Sequence, residues 1–286
     1  MENTENNIIE HIVISGGGII LLPFYGYIRD SAKKGLWELT NIKSIYGTSA
    51  GSLLATIVLL NMDWDVIDDY IINRPWKHIC QVQIEEFFSI LDKKGLKDIN
   101  FMKKILQPMF ESKNIPLDIT MKQFYELNNI DLHIFVTEVM KFETIDINHI
   151  TYPDWKLIDA IYASCSIPIL FAPLCIDNKY YTDGGFLNNF PVTTCIQQQS
   201  CDPSNMLLLD IHNESPDLEN EFSFFDFLFT LFINIFKILS NRRNIPIFQN
   251  TVRINMSESS LGKINNVIES AETRRELIQE GAKLLA

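Results

Sequence analysis

The sequence predicts an α/β fold of three layers, with helices on both faces of a mostly parallel central sheet. Two strand–glycine turn–helix units fall within the first sixty residues, and successive units of that kind require parallel strands joined by crossover helices. Residues 206–211 add a later apolar strand. Hydrophobic residues make up 47% and charged residues 21% of the 286-residue chain, a balance that supports a large packed core.

Taken in order, residues 8–14 form an apolar run ending in Ser15-Gly16-Gly17-Gly18, which reads as a buried strand stopped by a glycine turn. A helix follows, with Pro23 tolerated in its first turn and Lys33-Lys34-Gly35 marking its end. A short strand over 42–46 leads through Gly47-Thr48-Ser49-Ala50-Gly51 into an apolar helix over 52–60. Residues 64–127 read as mostly helical, most clearly at 98–110. Residues 132–140 and 142–147 read as two strands, 156–165 as a helix stopped before Pro168, and 180–182 as a short strand entering Asp183-Gly184-Gly185. No repeat or linker divides the chain. The expectation is one domain over 1–286, with its motifs within 8–212 and a helical and strand extension over 213–286 packed on the same domain.

A net charge of −12 argues against nucleic acid, since phosphate binding needs clustered Lys and Arg. Membrane contact would have to rest on apolar insertion rather than on attraction to anionic lipid. Residues 1–7 are polar and acidic, unlike a signal peptide. Cys80, Cys165, Cys175, Cys195 and Cys201 are scattered, without metal-ligand spacing. They read as reduced, mostly buried thiols of a cytoplasmic protein that needs no metal or cofactor.

Gly47-Thr48-Ser49-Ala50-Gly51 matches G-x-S-x-G between a strand and a helix. Such a turn projects the Ser49 hydroxyl into open space, Gly47 and Gly51 remove side chains that would collide, and the following helix favours negative charge at its start. Gly16, Gly17 and Gly18 end the neighbouring strand, where bare backbone can aim N–H groups at an oxyanion above Ser49. A nucleotide-binding turn fits poorly, because neither G-x-G-x-x-G nor G-K-[ST] is present. For the base there are two candidates. His212, at the end of a strand, would suit an ordinary α/β-hydrolase triad, but that fold sets more strands ahead of its nucleophile than this chain has. Asp183, before Gly184 and Gly185, offers a carboxylate on a turn that can approach closely, although Asp-Gly is also a common turn signal. His11, His78, His133 and His149 carry no motif and read as structural or surface residues.

Together these motifs resemble the patatin-like phospholipases, with further likeness in Ala163-Ser164-Cys165-Ser166-Ile167-Pro168 and Asn189-Phe190-Pro191-Val192. The resemblance covers roughly the first two-thirds of the chain. It implies a patatin-like fold, a Ser49–Asp183 dyad, Gly16 to Gly18 as the oxyanion loop, no metal, and a phospholipid or other lipid ester as substrate. The family usually continues its glycine loop with a basic residue and a glycine, where this chain has Ile20 and Leu21; a contact to a phosphate head group is thereby lost. A triad esterase using His212, or a catalytically silent lipid-binding protein on the same fold, are the alternatives. Between Phe222 and Leu239 the chain is dense in Phe, Leu and Ile, with Ser223, Asp226, Thr230, Asn234 and Lys237 forming one narrow polar stripe on a helix. It reads either as a core helix showing its stripe to water or as an interfacial helix giving peripheral membrane contact; it is too short and interrupted to span.

Overall fold

The computed structural model describes residues 8–82, 90–213, 227, 231, 234, 235, 238, 248, 250–256 and 261–285. The chain is a mixed α/β structure around a central, mostly parallel sheet. Its strands are β1 His11–Ile14, β2 Ser44–Thr48, β3 Gly95–Lys97, β4 Asp131–Glu138, β5 Glu143–Ile147, β6 Ile169–Phe171, β7 Leu174–Ile176, β8 Lys179–Asp183, β9 Met206–Asn213 and β10 Thr251–Met256. Hydrogen-bonded neighbours in the main sheet follow the path β10-β9-β1-β2-β4-β8-β7, with β5 on the other edge of β4, while β3 and β6 make a separate pair. Strands β10, β9, β1, β2 and β4 run parallel; β5, β7 and β8 run antiparallel to their neighbours.

The helices used below are α1 Leu21–Lys33, α2 Ala50–Leu59, α3 Trp64–Asn73, α4 Trp76–Cys80, α5 Ile99–Ser112, α6 Leu157–Ser164, α7 Val192–Gln199, α8 Leu261–Glu269 and α9 Ala271–Lys283. Alternation along the strands divides the core. Ile12, Ile14, Ile45, Leu207 and Leu209 face the larger cluster, whereas Val13, Tyr46 and Leu208 face a smaller one with Val192 and Cys195 of α7. Asp98 caps α5 through its side chain, accepting from the Asn100 N–H.

Two glycines bring the C-terminal helix onto α1. A Cβ on Gly26 would lie 1.9 Å from the Ile278 carbonyl oxygen, and one on Gly281 would lie 1.8 Å from that of Pro23. Only bare backbone permits this approach. Strand β10 meanwhile extends the sheet beyond β9, so both the strand and the helix of the C-terminal segment touch the sheet layers.

The sequence reading missed β3, β6 and β7, each of three residues. Strands that short carry no periodicity. The β7–β8 hairpin turns on Asp177 and Asn178, both at positive φ (50° and 59°), residues that tolerate the left-handed region. The thiols are also less buried than expected: only Cys195 is buried, and Cys175 is exposed.

Under the small core lies a polar cluster. His133 stacks on Tyr46 with ring centroids 4.0 Å apart, and its Nδ1 lies 2.8 Å from Asp146 Oδ2. Its Nε2 sits 2.9 Å from Asp131 Oδ2 as an ion contact without hydrogen-bond alignment. Burial alone would lower the His133 pKa, but the two carboxylates outweigh it and hold the imidazole up at about 9. Because this is above the unfolded value of about 6.5, the stabilisation is complete below about pH 6.5 and is lost as pH rises through about 9. Replacing His133 by Gln should cost about 3–5 kcal/mol near pH 6. It should also flatten the decline of urea-unfolding stability towards pH 9; parallel declines in variant and wild type would contradict the assignment.

Candidate active site

The site forms where two strands meet end to end. Strand β5 pairs with β4 over Ile134 to Glu138, so β2 and β8, which pair with β4 over overlapping residues, must share its other edge. Along that edge Thr48 of β2 pairs with Phe135, and Asp183 of β8 pairs with Val136. One strand arrives and the other ends at consecutive positions of β4. The residue after Thr48 is therefore delivered to Asp183: Ser49 Oγ donates to Asp183 Oδ2 at 2.6 Å.

Ser49 adopts φ 53°, ψ −127°, a conformation costly for a side chain-bearing residue, of order 1–3 kcal/mol. The surroundings impose it. The Ser49 N–H donates to Ser164 Oγ at 2.8 Å, and Ser164 Oγ in turn donates to the Phe135 carbonyl at 2.7 Å. Ser52 Oγ donates to the Ser49 carbonyl, and Thr48 Oγ1 donates to that of Asn188. Gly47 and Gly51 leave the room that the turn needs: a Cβ on Gly51 would lie 2.4 Å from the Ile14 carbonyl oxygen, and one on Gly47 would lie 2.7 Å from Ser52 Cα.

Asp183 is fully buried. Its Oδ1 accepts from the Gly185 N–H at 2.8 Å, and Thr137 Oγ1 donates to its carbonyl. Gly184 presses on β4, where a Cβ would lie 2.1 Å from the Phe135 carbonyl oxygen. Burial pushes the Asp183 carboxyl up to about 7, against the hydrogen bonds from Ser49 and Gly185 that pull it down. A carboxyl with that affinity is matched to accepting a proton near neutral pH.

The three glycines of the first turn are not equivalent. The Gly16 N–H donates to the Asn189 carbonyl at 3.1 Å, and Asn189 Nδ2 donates back to the Gly16 carbonyl at 3.3 Å. Among the described residues the N–H groups of Gly17 and Gly18 meet no acceptor. Gly18, at φ +56° in open space, is required for its backbone conformation. Gly16, Gly17, Gly18 and Ser49 line one cavity of about 450 Å³ whose other walls are almost wholly apolar. Among the described residues no group of three or more His, Cys, Asp or Glu is placed to hold a metal ion.

His212 lies in β9, paired with Asn255 of β10 and two strands from β2. His11 Nδ1 lies 2.7 Å from Ser44 Oγ, and His149 Nδ1 lies 2.9 Å from Asp131; both serve structure. Ser164 and Asn189, which hold the two turns, were given no individual role from sequence. Their signal was a polar residue within otherwise apolar stretches.

A family model described as patatin-like phospholipase matches residues 12–196. The chain belongs to the patatin-like phospholipase family. It is similar to a probable lipid hydrolase of Invertebrate iridescent virus 6, 26% identical over 188 residues, covering 65% of this chain and 63% of that protein. It is also similar to an uncharacterized protein of Acanthamoeba polyphaga mimivirus, 23% identical over 213 residues, covering 73% of this chain and 68% of that one. The match thus spans somewhat under two-thirds of the first relative's length. In fold it is similar to VipD from Legionella pneumophila, with a TM-score of 0.51 and 16% identity, covering 96% of this chain and 67% of that one. The patatin-like arrangement of a central mostly parallel sheet is therefore present as the sequence predicted.

Replacing Ser164 by Ala leaves the Ser49 N–H and the Phe135 carbonyl without their shared partner. The expected loss is about 1–3 kcal/mol of unfolding free energy, measured by urea denaturation. A change within about 0.5 kcal/mol, the range of an ordinary surface substitution, would contradict the bracing role.

Proposed function

We propose that this patatin-like chain is a lipid acyl hydrolase in which Ser49 is the nucleophile and Asp183 its base. The observation that carries the reading is the 2.6 Å bond from Ser49 Oγ to Asp183 Oδ2, made to a fully buried carboxyl by a serine that lines an apolar cavity. Asp183 takes the hydroxyl proton as Ser49 Oγ attacks the ester carbonyl. The free N–H groups of Gly17 and Gly18, rather than that of Gly16, receive the developing oxyanion. The tetrahedral intermediate expels the alcohol, which leaves with the proton held by Asp183. Water, deprotonated in turn by Asp183, then releases the fatty acid from the acyl-enzyme. The apolar lining supports a fatty acyl ester, and the absence of a basic residue at Ile20 and Leu21 supports weak dependence on a phosphate head group. The chain, 1–286, acts as one domain in this reading, supported by β10 joining the sheet and by α9 pressing on α1.

Hydrolysis of a short-chain p-nitrophenyl ester tests the pair. Wild type should be active, and Ser49→Ala and Asp183→Asn, folded by circular dichroism, should each lose about 10⁴-fold or more in kcat. Because only the ionised carboxylate accepts a proton, kcat/KM should rise with pH through about 7. Stability should move the opposite way. The folded pKa is raised, so the stabilisation Asp183 provides is complete below its unfolded value of about 3.9 and is lost as pH rises through about 7. Asp183→Asn should therefore melt higher than wild type above that pH. A folded wild type inactive on soluble ester and on phospholipid vesicles would instead favour a lipid-binding protein, and an Asp183→Asn variant of full activity would exclude the dyad.

The reading also gives a role to the segment between Phe222 and Leu239, most of which lies outside the described residues. Phe227, Leu231, Ile235 and Ile238 are helical and each about half exposed. Their spacing sets them on one face, which supports contact with a lipid surface over burial in the core. Among the described residues no helix is long and apolar enough to cross a membrane. Changing these four residues to Ser should lower the ratio of vesicle to soluble-ester hydrolysis. An unchanged ratio would return the helix to a purely structural role.

A further inference from the structure

The cavity beside Ser49 has a direction. Ser49 at the N-cap of α2 and Leu53 and Ile57 within it recur every fourth residue and all line it; on α5, Phe101, Ile105 and Met109 do the same. Two helix faces therefore form facing walls. At 1.5 Å of rise per residue, Ser49 to Ile57 spans about 12 Å.

Contacts outside the cavity say which ends of the two helices coincide. The Phe101 ring lies 5.7 Å from that of Phe171, in the segment whose Ser166 carbonyl accepts from the Asp183 N–H. The start of α5 thus belongs to the Ser49–Asp183 end. At the other end of α5, Ser112 Oγ donates to Met62 Sδ and Lys113 Nζ donates to the Asn61 carbonyl, both acceptors just past α2. Ile57 and Met109, each buried, therefore stand opposite the nucleophile at the far end. Tyr70 of α3, whose hydroxyl donates to the Ile105 carbonyl, closes a side.

We propose that this slot takes the acyl chain and that Ile57 and Met109 set its length limit, an inference resting on the hydrolase reading above. A cavity of about 150 Å³ holds one benzene ring. By that measure about 450 Å³ takes roughly 16–18 carbons, which fit the about 12 Å between Ser49 and Ile57 only as one long saturated chain folded back within the slot, with its carbonyl at Ser49. A chain that stops short leaves the far walls without contacts, and a chain that fills the slot removes the most apolar surface from water. A single methylene in such a pocket changes selectivity about tenfold or more, so a larger side chain at the far end moves the optimum to shorter chains.

The test compares p-nitrophenyl butyrate and palmitate. Wild type should prefer palmitate, and Ile57→Phe and Met109→Phe should each lower the palmitate-to-butyrate ratio of kcat/KM by about tenfold or more. A general loss of folded protein scales both esters together and leaves the ratio unmoved. An equal ratio in wild type and both variants overturns the proposal. If wild type cleaves neither ester, the hydrolase reading fails separately. The slot is then read in Ser49→Ala protein by displacement of a fluorescent fatty acid with decanoate and palmitate. Tighter displacement by palmitate that Ile57→Phe reverses sustains the slot, and equal displacement in both proteins overturns it.

Discussion

The structure depends on the meeting of β2 and β8 along one edge of β4. A parallel strand and an antiparallel strand that end at adjacent positions of a third strand bring their last residues face to face. Sequence neighbours of those residues then have little freedom. Ser49 is forced to positive φ, and Asp183 is carried to a fully buried position. The strain at one and the desolvation of the other are costs of the same junction. Both are offset by polar groups that meet them: the Ser164 and Ser52 side chains on the serine's backbone, and the Thr137 side chain and Gly185 N–H on the aspartate. A junction so constrained presents a hydroxyl and a carboxyl at fixed geometry before any ligand arrives.

A second constraint comes from the end of the chain. Helices α8 and α9 lie beyond the family match at residues 12–196, yet Ile264, Val267, Ile268 and Arg274 line the cavity at Ser49. Arg274 is buried and, among the described residues, hydrogen-bonds backbone, donating to the carbonyl of Ile72 at the end of α3 and to those of Val267 and Ile268 at the end of α8. Its charge is met by two helix C-termini, where carbonyl dipoles accumulate. With Gly26 and Gly281 drawing α9 against α1, this clamp fixes one wall of the cavity. The motifs build the Ser49–Asp183 pair, and the C-terminal helices shape the cavity beside it.

Much of this was legible in the sequence. The two glycine turns, the G-x-S-x-G elbow and Asp183-Gly184-Gly185 all fall where strands end, because buried strands and glycine turns leave local signals. The encounter of Ser49 with Asp183 was not legible from local pattern. It follows from which edge of β4 each strand takes, a long-range choice between segments 134 residues apart. The division of labour among Gly16, Gly17 and Gly18 was hidden for the same reason, since it is the Asn189 carbonyl that occupies Gly16. Short edge strands such as β6 and β7 exist by pairing rather than by propensity, and their residues gave no sign of it.

The central claim is that the Ser49–Asp183 junction makes a nucleophile near neutral pH. It is tested most directly by reaction with a long-chain alkyl fluorophosphonate, in which the serine oxygen displaces fluoride at phosphorus, with the adduct located by peptide mass spectrometry. The account predicts a single adduct on Ser49, forming faster as pH rises through about 7 and at least about a hundredfold slower in folded Asp183→Asn. Labelling elsewhere, or labelling of Ser49 at an undiminished rate without the carboxylate, would contradict it.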